Sequence, residues 1–182
     1  MSGNLPLGLV HEFLQQTMGW RNTHLHRFEI AGRHLGPASR DYEMGDEDLL
    51  TLTQAVELAG PRFRYDYDFG DGWEHWIEVE DSRSLPVATL TPVCIDGGRA
   101  CPPEDCGGPV GYGELLEALK DSRHPRHEEL LDWISTISGS KATFDPERFE
   151  RTTGSGGRQG NTALSTRPEM RQGLRYSSGR SR

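Results

Sequence analysis

The spacing of apolar positions changes twice in the first third of the chain. Over residues 5–18, Leu5, Leu9, Val10, Phe13, Leu14 and Met18 recur at intervals that line one face of a helix. Asn4 stands where a cap is expected and Pro6 falls near the first turn. From 24 to 30 the period shortens to two. His24, His26, Phe28 and Ile30 alternate with Leu25, Arg27 and Glu29, which predicts a strand followed by a turn at Ala31-Gly32. Residues 36–48 are polar and read as a loop. The apolar run at 49–59 predicts a short helix, with Thr53 as its cap and Gly60-Pro61 as its stop.

The clearest pattern is a hairpin over residues 63–69 and 73–80, closed near Asp71-Gly72. Phe63, Tyr65, Tyr67 and Phe69 fall on one face of its first strand. On the second, Trp73, His75, Ile77 and Val79 share a face, opposite Glu74, Trp76, Glu78 and Glu80. Residues 85–94 predict a further strand interrupted by Pro86 and Pro92, and 96–111 read as irregular. Helices follow at 112–120 and 128–137, separated by a turn around Pro125, and a short element spans 144–149. Helices and strands without regular βαβ alternation predict an α+β fold.

Composition divides the chain in two. Apolar residues make up 34% of it, below the ~45–50% of a typical globular domain. The shortfall lies mainly after residue 153. Residues 154–182 are rich in Gly, Ser and Arg and hold almost nothing that could build an apolar face, so this tail is expected to be disordered. Six arginines against Glu169 give it a charge of +5, which leaves −13 on residues 1–153 from a total of −8. An acidic body repels nucleic-acid phosphates, whereas the basic tail is suited to weak polyanion binding. No apolar run approaches the ~18 residues of a membrane span, and the first residues do not form a signal peptide. Cys94, Cys101 and Cys106 are odd in number, which points to reduced thiols or metal ligands in the cytoplasm rather than a disulfide framework.

Two groups of residues carry candidate chemistry. His24 and His26, two apart on a predicted strand, project from one face. His75 and the aspartates Asp66, Asp68 and Asp71 lie in or beside the hairpin. If the strands are neighbours, His24, His26, His75, Asp68 and Asp71 make a ligand set for a divalent metal such as zinc. Asp68, Asp71 and His75 are then the candidates for catalysis on a metal-activated water. The structural reading of the same residues packs His24 beside Phe28, bonds His26 to a backbone carbonyl, and spends Asp68 and Asp71 on turn amides. The second group is Cys94, Cys101 and Cys106. Their spacing, C-x6-C-x4-C, lacks the paired C-x2-C units of a strong zinc signature. Structural zinc with a fourth ligand from Asp96, His75 or His124, a redox role, and small buried thiols in a rigid loop all remain open.

Three segments, MGWRNTHLHRFEIAG, YDYDFGDGWEHWIEVE and CIDGGRACPPEDCGGPVGY, together resemble the plasmid pRiA4b ORF-3-like family over residues 5–149. Members of that family are often encoded with mobile elements and are sometimes labelled TnpR or resolvase passengers. The resemblance implies an α+β domain over residues 1–153, with a mixed or antiparallel sheet against helices, and no particular activity. Two departures stand out. The strand pair that usually precedes the first helix is missing, and the 154–182 tail lies outside the family pattern. Three functions are therefore expected in descending order: a non-catalytic accessory protein contacting an unknown protein partner, a metal-dependent hydrolase or nuclease, and a DNA-binding resolvase partner.

Overall fold

The computed structural model describes residues 2–81, 92–138 and 144–149. The tail at 154–182 and most of the strand expected at 85–94 lie outside them. Helix α1 (Leu7–Met18) buries Leu7, Val10 and Leu14 together with two polar residues, His11 and Gln15. All five recur on the same stripe. Gly19 closes the helix in the left-handed conformation at φ 74°, which glycine adopts without strain. The helix does not start at an Asn4 cap. Leu5 and Pro6 are extended instead, and the Leu7 amide bonds the Leu50 carbonyl (2.9 Å) while the Leu52 amide bonds Leu5 (2.9 Å). Helix α2 (Leu52–Ala59) is thereby joined at its root to α1. Its cap is Thr51 rather than the expected Thr53, because Thr51 and Gln54 exchange the two bonds of a capping box.

Five strands form one mixed sheet in the order β3-β2-β1-β4-β5. They are β1 (His26–Ile30), β2 (Arg33–Gly36), β3 (Gly45–Asp46), β4 (Arg62–Tyr67) and β5 (Trp73–Glu78). Every pairing is antiparallel except the short parallel β2–β3 contact. Thus Gly36 and 45–46, expected as loop, belong to the sheet, and so do Arg33, His34 and Leu35, for which no element was expected. Ala31 (φ 50°) and Gly32 (φ 75°) are both left-handed, as a two-residue turn matched to the strand twist requires. The expected aromatic hairpin is β4–β5, with Tyr65 opposite His75 and Tyr67 opposite Trp73.

Alternation gives the sheet two unlike faces. Phe28, Ile30, Phe63, Tyr65, Tyr67 and Trp73 point inward and form the main core with α1 and α2. The outer face carries charge: Arg64 reaches Glu29 (2.9 Å) and Asp66 (3.0 Å), and Arg27 reaches Asp66 (2.8 Å). Phe69 departs from its expected place beside Tyr67. Asp68 takes a left-handed φ of 52°, which breaks the alternation. Phe69 then lies under the Arg27 guanidinium (5.1 Å) and edge-on to Tyr42 (4.8 Å).

Helices α3 (Gly108–Lys120) and α4 (His127–Ser138) enclose a second small core of Leu115, Ala118, Leu130 and Ile134. Tyr112 touches both cores. Helix α3 starts four residues before the expected Tyr112 because Gly107 and Pro109 provide its entry. A side chain at Gly108 would put Cβ 2.1 Å from the Asp71 carbonyl oxygen, at a residue already at φ 66°. The start of α3 is therefore pressed directly against the hairpin tip.

This close approach separates two glycines of the same helix. Gly108→Ala is expected to lower unfolding stability by about 1–3 kcal/mol through clash and left-handed strain. Gly113→Ala, where a Cβ meets nothing within 4 Å, is expected to raise it by about 0.4–1 kcal/mol. Urea denaturation of both variants measures the contrast, and equal effects would contradict the close packing.

Candidate functional site

Under α1, three buried side chains, His11, Gln15 and Tyr65, complete a circuit of hydrogen bonds with the exposed Asn22. The Asn22 carboxamide oxygen can only accept, so His11 Nε2 carries the hydrogen of that 2.8 Å contact. His11 Nδ1 is then the acceptor for the Tyr65 hydroxyl (2.7 Å). Gln15 donates to the same hydroxyl (3.1 Å) and accepts from the Asn22 amide (3.1 Å). Each group answers the next. The face of His11 lies on His26 with ring centroids 3.4 Å apart and planes 5° from parallel. His26 Nε2 meets Glu47 at 2.8 Å. Burial, and then the charge of His26, push His11 down to about 4, against support from Asn22 and Glu47. Burial likewise pushes the Tyr65 hydroxyl well above the ordinary tyrosine range.

A second set gathers at the hairpin tip. The Asp68 Oδ1 atom accepts from the amides of Gly70 (3.0 Å) and Asp71 (3.2 Å), which leaves Oδ2 turned toward His24. His24 Nε2 lies 3.6 Å from that oxygen and 3.0 Å from Asp105 Oδ1. The chain reaches this point because Asn22, left-handed at φ 56°, bends the segment before β1. His24 therefore precedes the strand instead of sharing its inner face with His26. Its ring stands edge-on to Tyr67 (5.9 Å) rather than beside Phe28.

Asp105 is delivered by the loop before α3, and several contacts clamp that loop. Glu104 accepts from the Arg21 amide (2.9 Å), the Thr23 hydroxyl (3.3 Å) and the Tyr67 hydroxyl. Burial, followed by the bond and charge of Glu104, pushes Tyr67 up to about 12. The Trp20 indole donates to the Pro102 carbonyl (2.9 Å), and Asp71 accepts from the Gly107 amide (3.1 Å). Cys101 and Cys106 belong to this loop and pack against the main core. Burial raises both thiols to about 12, so at neutral pH they are protonated and poor nucleophiles. Cys94 bonds the Asp96 carbonyl at the loop's other end (3.5 Å).

Of the five residues expected to share a metal, the fold brings together His24 and Asp68. It places His26 with Glu47 and His11, and Asp71 on the Gly107 amide. His75 goes to the Tyr65 carbonyl oxygen (3.3 Å) and edge-on to Trp20 (5.5 Å). Burial pushes His75 down to about 4. Sequence reasoning missed His11, Gln15, Asn22, Glu47, Glu104 and Asp105. A signal existed for His11 and Gln15, polar residues on an otherwise apolar helical stripe. None existed for Asp105, whose partners are distant in the chain.

A mixed sheet with an aromatic hairpin, two helices on its inner face and a clamped loop at its tip defines an α+β domain. The chain belongs to the family described as plasmid pRiA4b ORF-3-like protein, whose profile it matches over residues 1–153. It is similar to the uncharacterized protein y4hQ of Sinorhizobium fredii (strain NBRC 101917 / NGR234), with 46% identity over 138 residues, 72% of this chain and 69% of that protein. It is also similar to the crystal structure of a protein of unknown function, MM3350, from Methanosarcina mazei Go1. There the TM-score is 0.68 at 32% identity, over 83% of this chain and 84% of the other. Among the described residues no helix is long and apolar enough to cross a membrane.

The two depressed histidines set a pH dependence. Both are held near 4 in the folded chain, against ~6.5 when unfolded. Between those values the unfolded chain binds protons that the folded chain refuses. Their stabilisation is complete above pH ~6.5 and falls as the pH drops toward 4, by up to about 1.4 kcal/mol per pH unit for each histidine. Urea unfolding from pH 7 to 4.5 should show this loss, and His75→Asn should remove part of the slope. A flat profile would contradict the buried neutral imidazoles.

Proposed function

We propose that the chain is a non-catalytic accessory protein of plasmids and mobile elements that acts by contact with a protein partner. One observation carries this reading: the two faces of the sheet divide chemistry from contact. The groups suited to acid–base work, His11, His26, His75 and Tyr65, point inward and are committed to one another and to the backbone. The outer face of the hairpin presents Trp76, 37% exposed, with Arg62 stacked over its ring at 4.4 Å. Glu74 and Glu78 flank it on the same face. Aromatic and arginine side chains of this kind anchor protein interfaces. The charge of −13 on residues 1–153 favours a basic protein surface over nucleic acid. The plasmid in the family's description supports the mobile-element setting.

A photoreactive benzophenone side chain in place of Trp76 tests the reading, with the same group at exposed Glu12 as control. In the cells that express the protein, position 76 is expected to give a light-dependent protein adduct of one defined mass, weakened by added salt. Position 12 is expected to give none. No adduct at 76, or the same adducts at both positions, would contradict the reading.

A further inference from the structure

We propose that His24, Asp68 and Asp105 bind a divalent cation of the zinc class, which latches the loop before α3 onto the hairpin tip. Among the described residues, one ligand atom from each of the three lies within 4.8 Å of the other two. Two ligands held ~2.0–2.1 Å from a tetrahedral zinc stand about 3.3–3.4 Å apart. The His24–Asp105 and His24–Asp68 separations, 3.0 and 3.6 Å, bracket that spacing. Small side-chain rotations bring both to it.

A second observation points to a ligand. His24 Nε2 is buried yet makes no hydrogen bond of acceptable geometry, although a carboxylate oxygen is within reach. A nitrogen that offers its lone pair to a metal satisfies that description better than one wedged between two carboxylates. Asp68 is oriented for the task, since the Gly70 and Asp71 amides hold its other oxygen. Such outer contacts fix the direction of a ligating carboxylate. One imidazole and two carboxylates suit zinc, cobalt or manganese better than the all-oxygen cages of calcium. Asp105 is largely exposed, its side chain at 68%, so the fourth coordination position opens to solvent.

The role that follows is positional. Asp105 belongs to the loop, whereas His24 lies just before β1 and Asp68 just after β4. A cation joining them ties that loop, with the two thiols it carries, to the strand ends.

The test uses the full chain, dialysed against chelator and titrated with zinc by calorimetry and with cobalt by visible absorption. One saturable site is expected. Asp105→Ala, whose folding is checked by circular dichroism because the position is left-handed at φ 60°, should weaken zinc more than about ten-fold, since even outer-shell losses cost 10–100-fold. His24→Ala should do the same, and Cys101→Ser should leave affinity unchanged. Zinc should also slow amide exchange over residues 104–107 in the parent chain but not in Asp105→Ala. Three results would each overturn the proposal: no saturable binding, unchanged affinity in a folded Asp105→Ala chain, or thiolate-to-cobalt charge-transfer absorption.

Discussion

The Tyr65 hydroxyl is the contact around which the rest of the domain is arranged. It comes from the middle of β4 into the seam between sheet and α1, where water cannot reach it. A hydroxyl left unmatched there costs about 1–3 kcal/mol. The fold answers with Gln15 as donor and His11 as acceptor. That choice propagates. Because His11 must accept at Nδ1, it donates at Nε2, which fixes Asn22, and Asn22 in turn holds Gln15. The circuit dictates the rotation of α1 and the path of the chain out of it. An all-apolar seam would permit α1 to slide, whereas directional bonds permit one register.

The same circuit explains how the hairpin tip is built. Asn22 is left-handed where it closes the circuit, and the bend sets down Thr23 and His24 beside the end of β4. Glu104 can then bridge Arg21, Thr23 and Tyr67, which brings the cysteine-containing loop across the tip. Gly108 pressed on Asp71 completes the closure. The inner-face histidines are engaged in these structural contacts, and the outer face carries the arginine–carboxylate ladder and the exposed Trp76.

Much of this was legible in the chain. Period-two and period-three-to-four patterns located β1, the hairpin, α1, α3 and α4, because burial on one face is what those patterns record. Helix starts were less legible. Thr51 and Thr53 are equally good caps by type, and only the pairing of Leu5 with Leu52 chooses between them. The histidines were read as neighbours because alternation was extended back to His24. A single left-handed residue, Asn22, ends that alternation, and nothing in its local sequence requires the bend. Asp68 deceived in the same way about Phe69. Asp105 was illegible for a different reason: its meeting with His24 depends on long-range clamps by Glu104 and Trp20.

The central claim is a division of labour among the histidines, with His11, His26 and His75 holding the fold and His24 available to a ligand. Long-range 1H–15N correlation of the imidazole nitrogens, recorded from pH 7.5 to 4.5 and again at neutral pH with one equivalent of zinc, tests it most directly. The account predicts that His11 remains neutral with its hydrogen on Nε2 over most of that range, and that zinc moves the His24 nitrogens while leaving His11, His26 and His75 in place. A His11 that titrates near 6.5, or zinc shifts centred on His26 or His75, would contradict it.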